Sequence, residues 1–138
     1  MRKLVLLLGV AVLAFAGIAY GASSPVMIGT TLTAGQDHAT KSHGKGTFTG
    51  TITRGKLKFT LKFSNLTGAA TAAHIHMGAK GVSGPVVVPL CGPCKTTVTG
   101  TATVSASMLS AIKKGKAYVN VHTAKYPAGE IRGQLVTH

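Results

Sequence analysis

The sequence predicts an all-β protein: an antiparallel Greek-key or immunoglobulin-like β-sandwich or barrel with one short helix. Three observations carry that expectation. "KLKFTLKF" at 56–63 puts Leu57, Phe59, Leu61 and Phe63 on one side and Lys56, Lys58, Thr60 and Lys62 on the other, the period of two of a half-buried strand. About seven further short segments rich in Val, Ile and Thr are set apart by Gly, Pro and Ser turn signals, as in sandwiches and barrels. Only "SASMLSAIKKG" at 105–115 carries helix punctuation, with Ser105 or Ser107 as N-cap, Lys113 and Lys114 in the last turn and Gly115 at the end.

In chain order, Met1-Arg2-Lys3 and the apolar "LVLLLGVAVLAFAGIAYG" read as a secretory signal peptide over residues 1–21, with Ala19 and Gly21 as the small residues before the cleavage site. Residues 22–26 then form the mature N-terminal segment and 27–138 a single domain, with no later segment apolar enough to cross a membrane. A first strand is expected at "VMIGTTLT" and a flexible loop at 34–46, where "AGQDHATKSHGKG" lacks apolar periodicity. "TFTGTIT" pairs with "KLKFTLKF" across a tight Arg54-Gly55 turn. Strands follow at "AAHIH", "PVVVPL", "TTVTGTATV", "KAYVNVHT" and "EIRGQLVT", and "YPAG" fits a turn with Pro127 second and Gly129 fourth.

The chain carries 15 Lys and Arg against two acidic residues, a formal net charge of +13 that falls by two if Arg2 and Lys3 leave with the leader. A secreted or extracytoplasmic polycation of the cell envelope meets anionic envelope polymers, headgroups or small anions. Lys56, Lys58 and Lys62 form a basic stripe suited to such an anionic surface. Nucleic acid is not expected as a partner, because tryptophan is absent and neither a basic helix nor an aromatic stacking platform can be read. Asp37 falls in the loop, which leaves Glu130 as the one carboxylate in the expected folded part and excludes acid/base chemistry by paired carboxylates. No nucleophile elbow, phosphate-cradling loop or dinucleotide fingerprint appears. The oligomeric state is not legible.

Histidines supply the sharper signal. His74 and His76 share one face of their strand and Ile75 takes the other. In "AYVNVHT", Val119 and Val121 suit the core, so Tyr118, Asn120 and His122 share the outer face. Three imidazoles in one phase suit copper or zinc, and three nitrogens with an open position make a reactive centre; the competing reading is a polar network that steadies loops. Asn120, Glu130 and Arg132 are the candidates for orienting them, with Glu130, Arg132 and Gln134 in one phase and a Glu130–Arg132 surface pair as the plainer reading. "CGPC" at 91–94 precedes a strand-like run rather than a helix, so Cys91 and Cys94 are expected to form a disulfide pinning a turn.

"HIHMGAKGVSGPVVVPL" together with "GKAYVNVHTAKYPAGEIRGQL" resembles the CHRD domain, named from chordin and common in exported bacterial proteins. The resemblance spans roughly residues 27–137 and implies an immunoglobulin-like sandwich or barrel, while implying little about activity. A more distant similarity links the His-x-His strand and the later histidine to copper-zinc superoxide dismutase. By that likeness His74, His76 and His122 are copper ligands and Arg132 attracts an anion, although the bridging histidine and the zinc-binding cluster have no counterpart. The expectation is thus a non-enzymatic binding or structural module with a histidine metal site. The alternatives are a copper-only dismutase-like redox protein and a cationic adhesion module.

Overall fold

The structure, a computed structural model, describes residues 23–36, 39 and 41–138. The expected leader at 1–21 and the loop residues Asp37, His38 and Thr40 lie outside the described residues. Strands run at β1 Val26–Ala34, β2 Lys45–Thr53, β3 Lys56–Ser64, β4 Ala70–Met77, β5 Val86–Cys91, β6 Thr97–Thr103, β7 Ala117–Thr123, β8 Ile131–Gln134 and β9 Val136–Thr137, with helix α1 at Ala106–Lys113 between β6 and β7. Strands β1 and β2 thus take Ala34 and residues 45–46 from the ends of the segment expected as a loop.

The order β5-β4-β7-β8-β1-β2-β3-β6 makes one antiparallel sheet, with β9 added on β1, and β5 and β6 come alongside each other so that the sheet curls into a nearly closed barrel. Of the two architectures expected, the barrel is the one formed. The side chains that alternate inward fill it: Leu32, Phe48, Leu57, Leu61, Ile75, Val119, Val121 and Ile131 are all fully buried. Helix α1 starts on the side chain of Ser105, which accepts from the Met108 N–H, and buries Met108, Ala111 and Ile112. It ends where Gly115 adopts φ +66°, a conformation glycine takes without strain.

Two local details set how the strands pair. Arg54 and Gly55 both have positive φ, as a two-residue hairpin turn requires, and this fixes the β2–β3 register with Thr51 opposite Lys58. "EIRGQLVT" is not one strand: Leu135 donates its N–H to Ala117 O, β8 before it pairs with β7 and the end of β1, and β9 after it pairs with the start of β1.

Candidate metal centre

Strand β4 pairs antiparallel with β7, with Ala72 opposite His122, His74 opposite Asn120, and His76 opposite Tyr118. Next across the sheet, Tyr118 lies opposite Gln134 and Asn120 opposite Arg132. Because alternate residues face the same way, the outer face of β4-β7-β8 collects three imidazoles, a phenol, two amides and a guanidinium while Ile75, Val119 and Val121 face inward. This face is not open to solvent. Residues 78–85 fold over it from one side and the 124–129 turn from the other, so that His76 and His122 are buried and His74 is half-buried.

The three histidines present ligand atoms that all lie within 4.8 Å of one another. The hydrogen bonds decide which nitrogens these are. His76 Nδ1 lies 2.9 Å from Gly84 O, and His122 Nδ1 lies 2.9 Å from Pro127 O. A carbonyl accepts only, so both Nδ1 atoms carry their protons and each Nε2 presents a lone pair. His122 Nε2 therefore accepts from His74 Nδ1, 3.1 Å away. His76 Nε2 is buried and has no hydrogen-bond partner. An ion at the usual metal–nitrogen distance of about 2.0–2.1 Å needs donors no more than about 4.2 Å apart. With its ligand atoms spread over up to 4.8 Å the cluster must close by about 0.6 Å or more to hold an ion, and His74 is the most exposed of the three. Burial, followed by the neighbouring His122 and His76, holds the His74 pKa below its ordinary 6.5, which favours the neutral form a metal requires.

The surrounding residues fix this geometry. The Tyr118 ring stacks on His76 with centroids 4.9 Å apart and planes 11° from parallel, and the Arg132 guanidinium carbon lies 3.3 Å from the Tyr118 ring centre. Arg132 donates from its Nη2 to Ala79 O and Val82 O, each at 3.0 Å, and Gly84 N–H donates to the Tyr118 hydroxyl at 3.0 Å. These bonds anchor the segment whose Gly84 carbonyl orients His76. On the other side, Asn120 Nδ2 donates to Ala128 O at 3.1 Å, and Gly129 N–H to Tyr126 O closes the expected Tyr126-Pro127-Ala128-Gly129 turn. That turn carries the Pro127 carbonyl that orients His122.

Glu130 accepts hydrogen bonds from the Ser42 hydroxyl (2.6 Å), the Thr67 N–H (2.7 Å), the Thr67 hydroxyl (2.9 Å) and the Thr123 hydroxyl (2.6 Å). It thereby ties the residue after His122 to two other loops rather than contacting an imidazole through these bonds. Burial pushes its pKa up, but the four bonds outweigh burial and hold it below the ordinary value. Glu130 and Arg132 are each 1% exposed, which corrects the expectation of a surface pair. Arg132, engaged by carbonyls beneath residues 78–85, is also not presented to solvent as an anion-attracting group.

Sequence reasoning placed the three histidines in one phase and missed their supports: Tyr118, Gly84, Pro127, Gly129 and Gln134, whose amide donates to Gly78 O and Gly115 O. Tyr118 and Gln134 carried a usable signal, since each shares the phase of a named candidate. Cys91 and Cys94 form the expected disulfide, in the strand end and turn beyond β5. Lys56, Lys58 and Lys62 are exposed on β3, on a different part of the barrel wall. Comparison with protein-family models matches the CHRD domain over residues 28–135. Comparison with curated proteins and with solved structures returns no match.

Proposed function

The chain belongs to the CHRD-domain family, and from that premise we propose that it is an exported, non-enzymatic metal-binding protein in which His74, His76 and His122 hold one copper ion. The observation that carries this reading is the buried His76 Nε2, a lone pair without a hydrogen-bond partner inside a cluster of ligand atoms within 4.8 Å. A buried unpaired polar atom costs about 1–3 kcal/mol, and a bound cation would offset that cost. The donors would be His76 Nε2 and His122 Nε2, each set by the carbonyl on its Nδ1, and His74 Nδ1, which faces His122 and would pass its proton to Nε2 on binding. Copper is favoured over zinc by the donor set, three neutral imidazoles without thiolate or carboxylate, and by the general order of divalent affinities at nitrogen sites.

Export is supported by the charged and apolar start of the sequence. Binding rather than turnover is supported by enclosure: two of the three imidazoles are buried, and the carbonyls that orient them belong to two separate covering segments. The dismutase-like alternative loses one of its supports with the burial of Arg132.

The test is retention of metal by purified protein after exposure to Cu(II) or Zn(II) and exhaustive dialysis, beside a His74→Ala/His76→Ala/His122→Ala variant. One equivalent of copper retained by the parent and none by the variant is the expected result. Retention by both, or by neither, would dismiss the site.

A further inference from the structure

Away from the histidines, the outer face of β2-β3-β6 carries a second organised surface. Register places Lys62 between Thr47 and Thr97, and Lys58 between Thr51 and Thr101. Lys56 falls between Thr53 and Thr103, and Thr60 between Thr49 and Thr99. Each row thus presents two threonine hydroxyls around a central residue, and three of the four central residues are ammonium groups. All three lysines are exposed, and every inward neighbour along β3 is apolar and buried. Lys56 and Lys62 lie about 20 Å apart along the strand. Shallow depressions occur at both ends of the face, one lined by Lys45, Thr47, Lys62 and Thr97, the other by Thr51, Thr53, Lys56 and Lys58.

No acidic side chain opposes this charge on the described surface. Glu130 is the one carboxylate side chain among the described residues, and it is 1% exposed. Neighbouring lysines on a carboxylate-free face repel one another, and an anion lying across them relieves that repulsion. Of the exposed large apolar side chains, Val82, Val86 and Val87 lie on the segment after β4 and on β5 and Val136 on β9, while Met27, on β1, stands opposite Thr51 at the edge of the Lys58 row. A membrane would therefore find a single methionine at the edge of the face and no apolar cluster to insert, whereas the threonine hydroxyls that line every row donate to and accept from sugar hydroxyls.

We propose that the Lys–Thr face of β2-β3-β6 binds a linear anionic polysaccharide lying along β3, with acidic groups on Lys56, Lys58 and Lys62 and sugar hydroxyls on the flanking threonines. This binding is independent of the histidine centre.

The experiment measures affinity of the purified protein for polygalacturonate and for vesicles containing phosphatidylglycerol, at low and at physiological salt. Lys56→Gln/Lys58→Gln/Lys62→Gln is compared with Lys113→Gln/Lys114→Gln/Lys116→Gln, which removes the same charge from exposed positions at the end of α1. The β3 variant should bind polygalacturonate about tenfold more weakly and the α1-end variant less than about twofold more weakly. The Thr60→Val variant, with no change in charge, should also bind the polymer more weakly. Equal losses in the two lysine variants would reduce the effect to bulk charge and overturn the proposal. So would a parent protein that ignores the polymer, or vesicle binding that exceeds polymer binding and alone depends on the β3 lysines.

Discussion

His76 is pinned on three sides: Nδ1 to the Gly84 carbonyl, one ring face to Tyr118, and the strand backbone to β5 and β7. Only its Nε2 is left for chemistry, on a ring whose centroid lies 5.6 Å from that of His74 and 5.7 Å from that of His122. The three histidines therefore differ in what their loss should do. His74 is half-exposed, and its one side-chain hydrogen bond goes to another member of the cluster. His74→Ala is expected to change the stability of the metal-free protein by less than about 1 kcal/mol in urea titrations, while weakening copper binding at least about tenfold in competition with a chelator. An equal loss of stability and affinity would mean that His74 is structural. The phase of these residues was legible in "AHIHM" and "YVNVHT", since period two decides which side a residue faces. The donor atoms were not, because they depend on carbonyls at 84 and 127 whose positions no local pattern reveals.

The elements that shape the centre are its two covering segments, and each depends on a glycine with no room for a side chain. A Cβ at Gly84 would fall on the Met77 carbonyl, and one at Gly129, which has φ +133°, would fall on the Asn120 side chain. Gly84→Ala and Gly129→Ala should each cost about 2–3 kcal/mol in thermal or chemical unfolding and also reduce copper retention. Gly68→Ala, where nothing lies within 4 Å, should be nearly neutral in both assays. Similar losses at all three positions would contradict a specific role for the coverings. Strands were readable at this scale wherever one face is buried and the other wet, most plainly in β3. The last strand was overread: alternation continues through "EIRGQLVT", but the pairing partners change at Leu135, and alternation does not report partners. Enclosure of the histidines was not foreseen because a glycine-rich connection such as 78–85 looks like an ordinary loop.

For the molecule as a whole, the barrel joins distant parts of the chain, and its acid stability should track its two downshifted groups. Below about 6.5, the unfolded chain protonates His74 before the folded chain does. Below 4.5, the same holds for Glu130. In both windows the unfolded state binds more protons, so stability falls as pH falls and is fully present only above the unfolded values. Urea midpoints should therefore decline between pH 7 and 5.5 and decline again below pH 4.5, and Glu130→Gln should flatten the second decline. A midpoint that rises on acidification would contradict both assignments. Copper at one hundred times its dissociation constant should add about 2.7 kcal/mol to the folded state at neutral pH, since only that state assembles the three donors.

The measurement that bears most directly on the metal centre is nitrogen NMR of the six histidines in protein labelled with nitrogen-15, before and after one equivalent of Cu(I), which is diamagnetic. The expected result is a change at His76 Nε2, at His122 Nε2 and at both nitrogens of His74, whose proton shifts from Nδ1 to Nε2, while the Nδ1 protons of His76 and His122 stay hydrogen-bonded to Gly84 O and Pro127 O. Unchanged imidazoles at 74, 76 and 122, or a response carried by His43 and His138 instead, would contradict a three-histidine copper site.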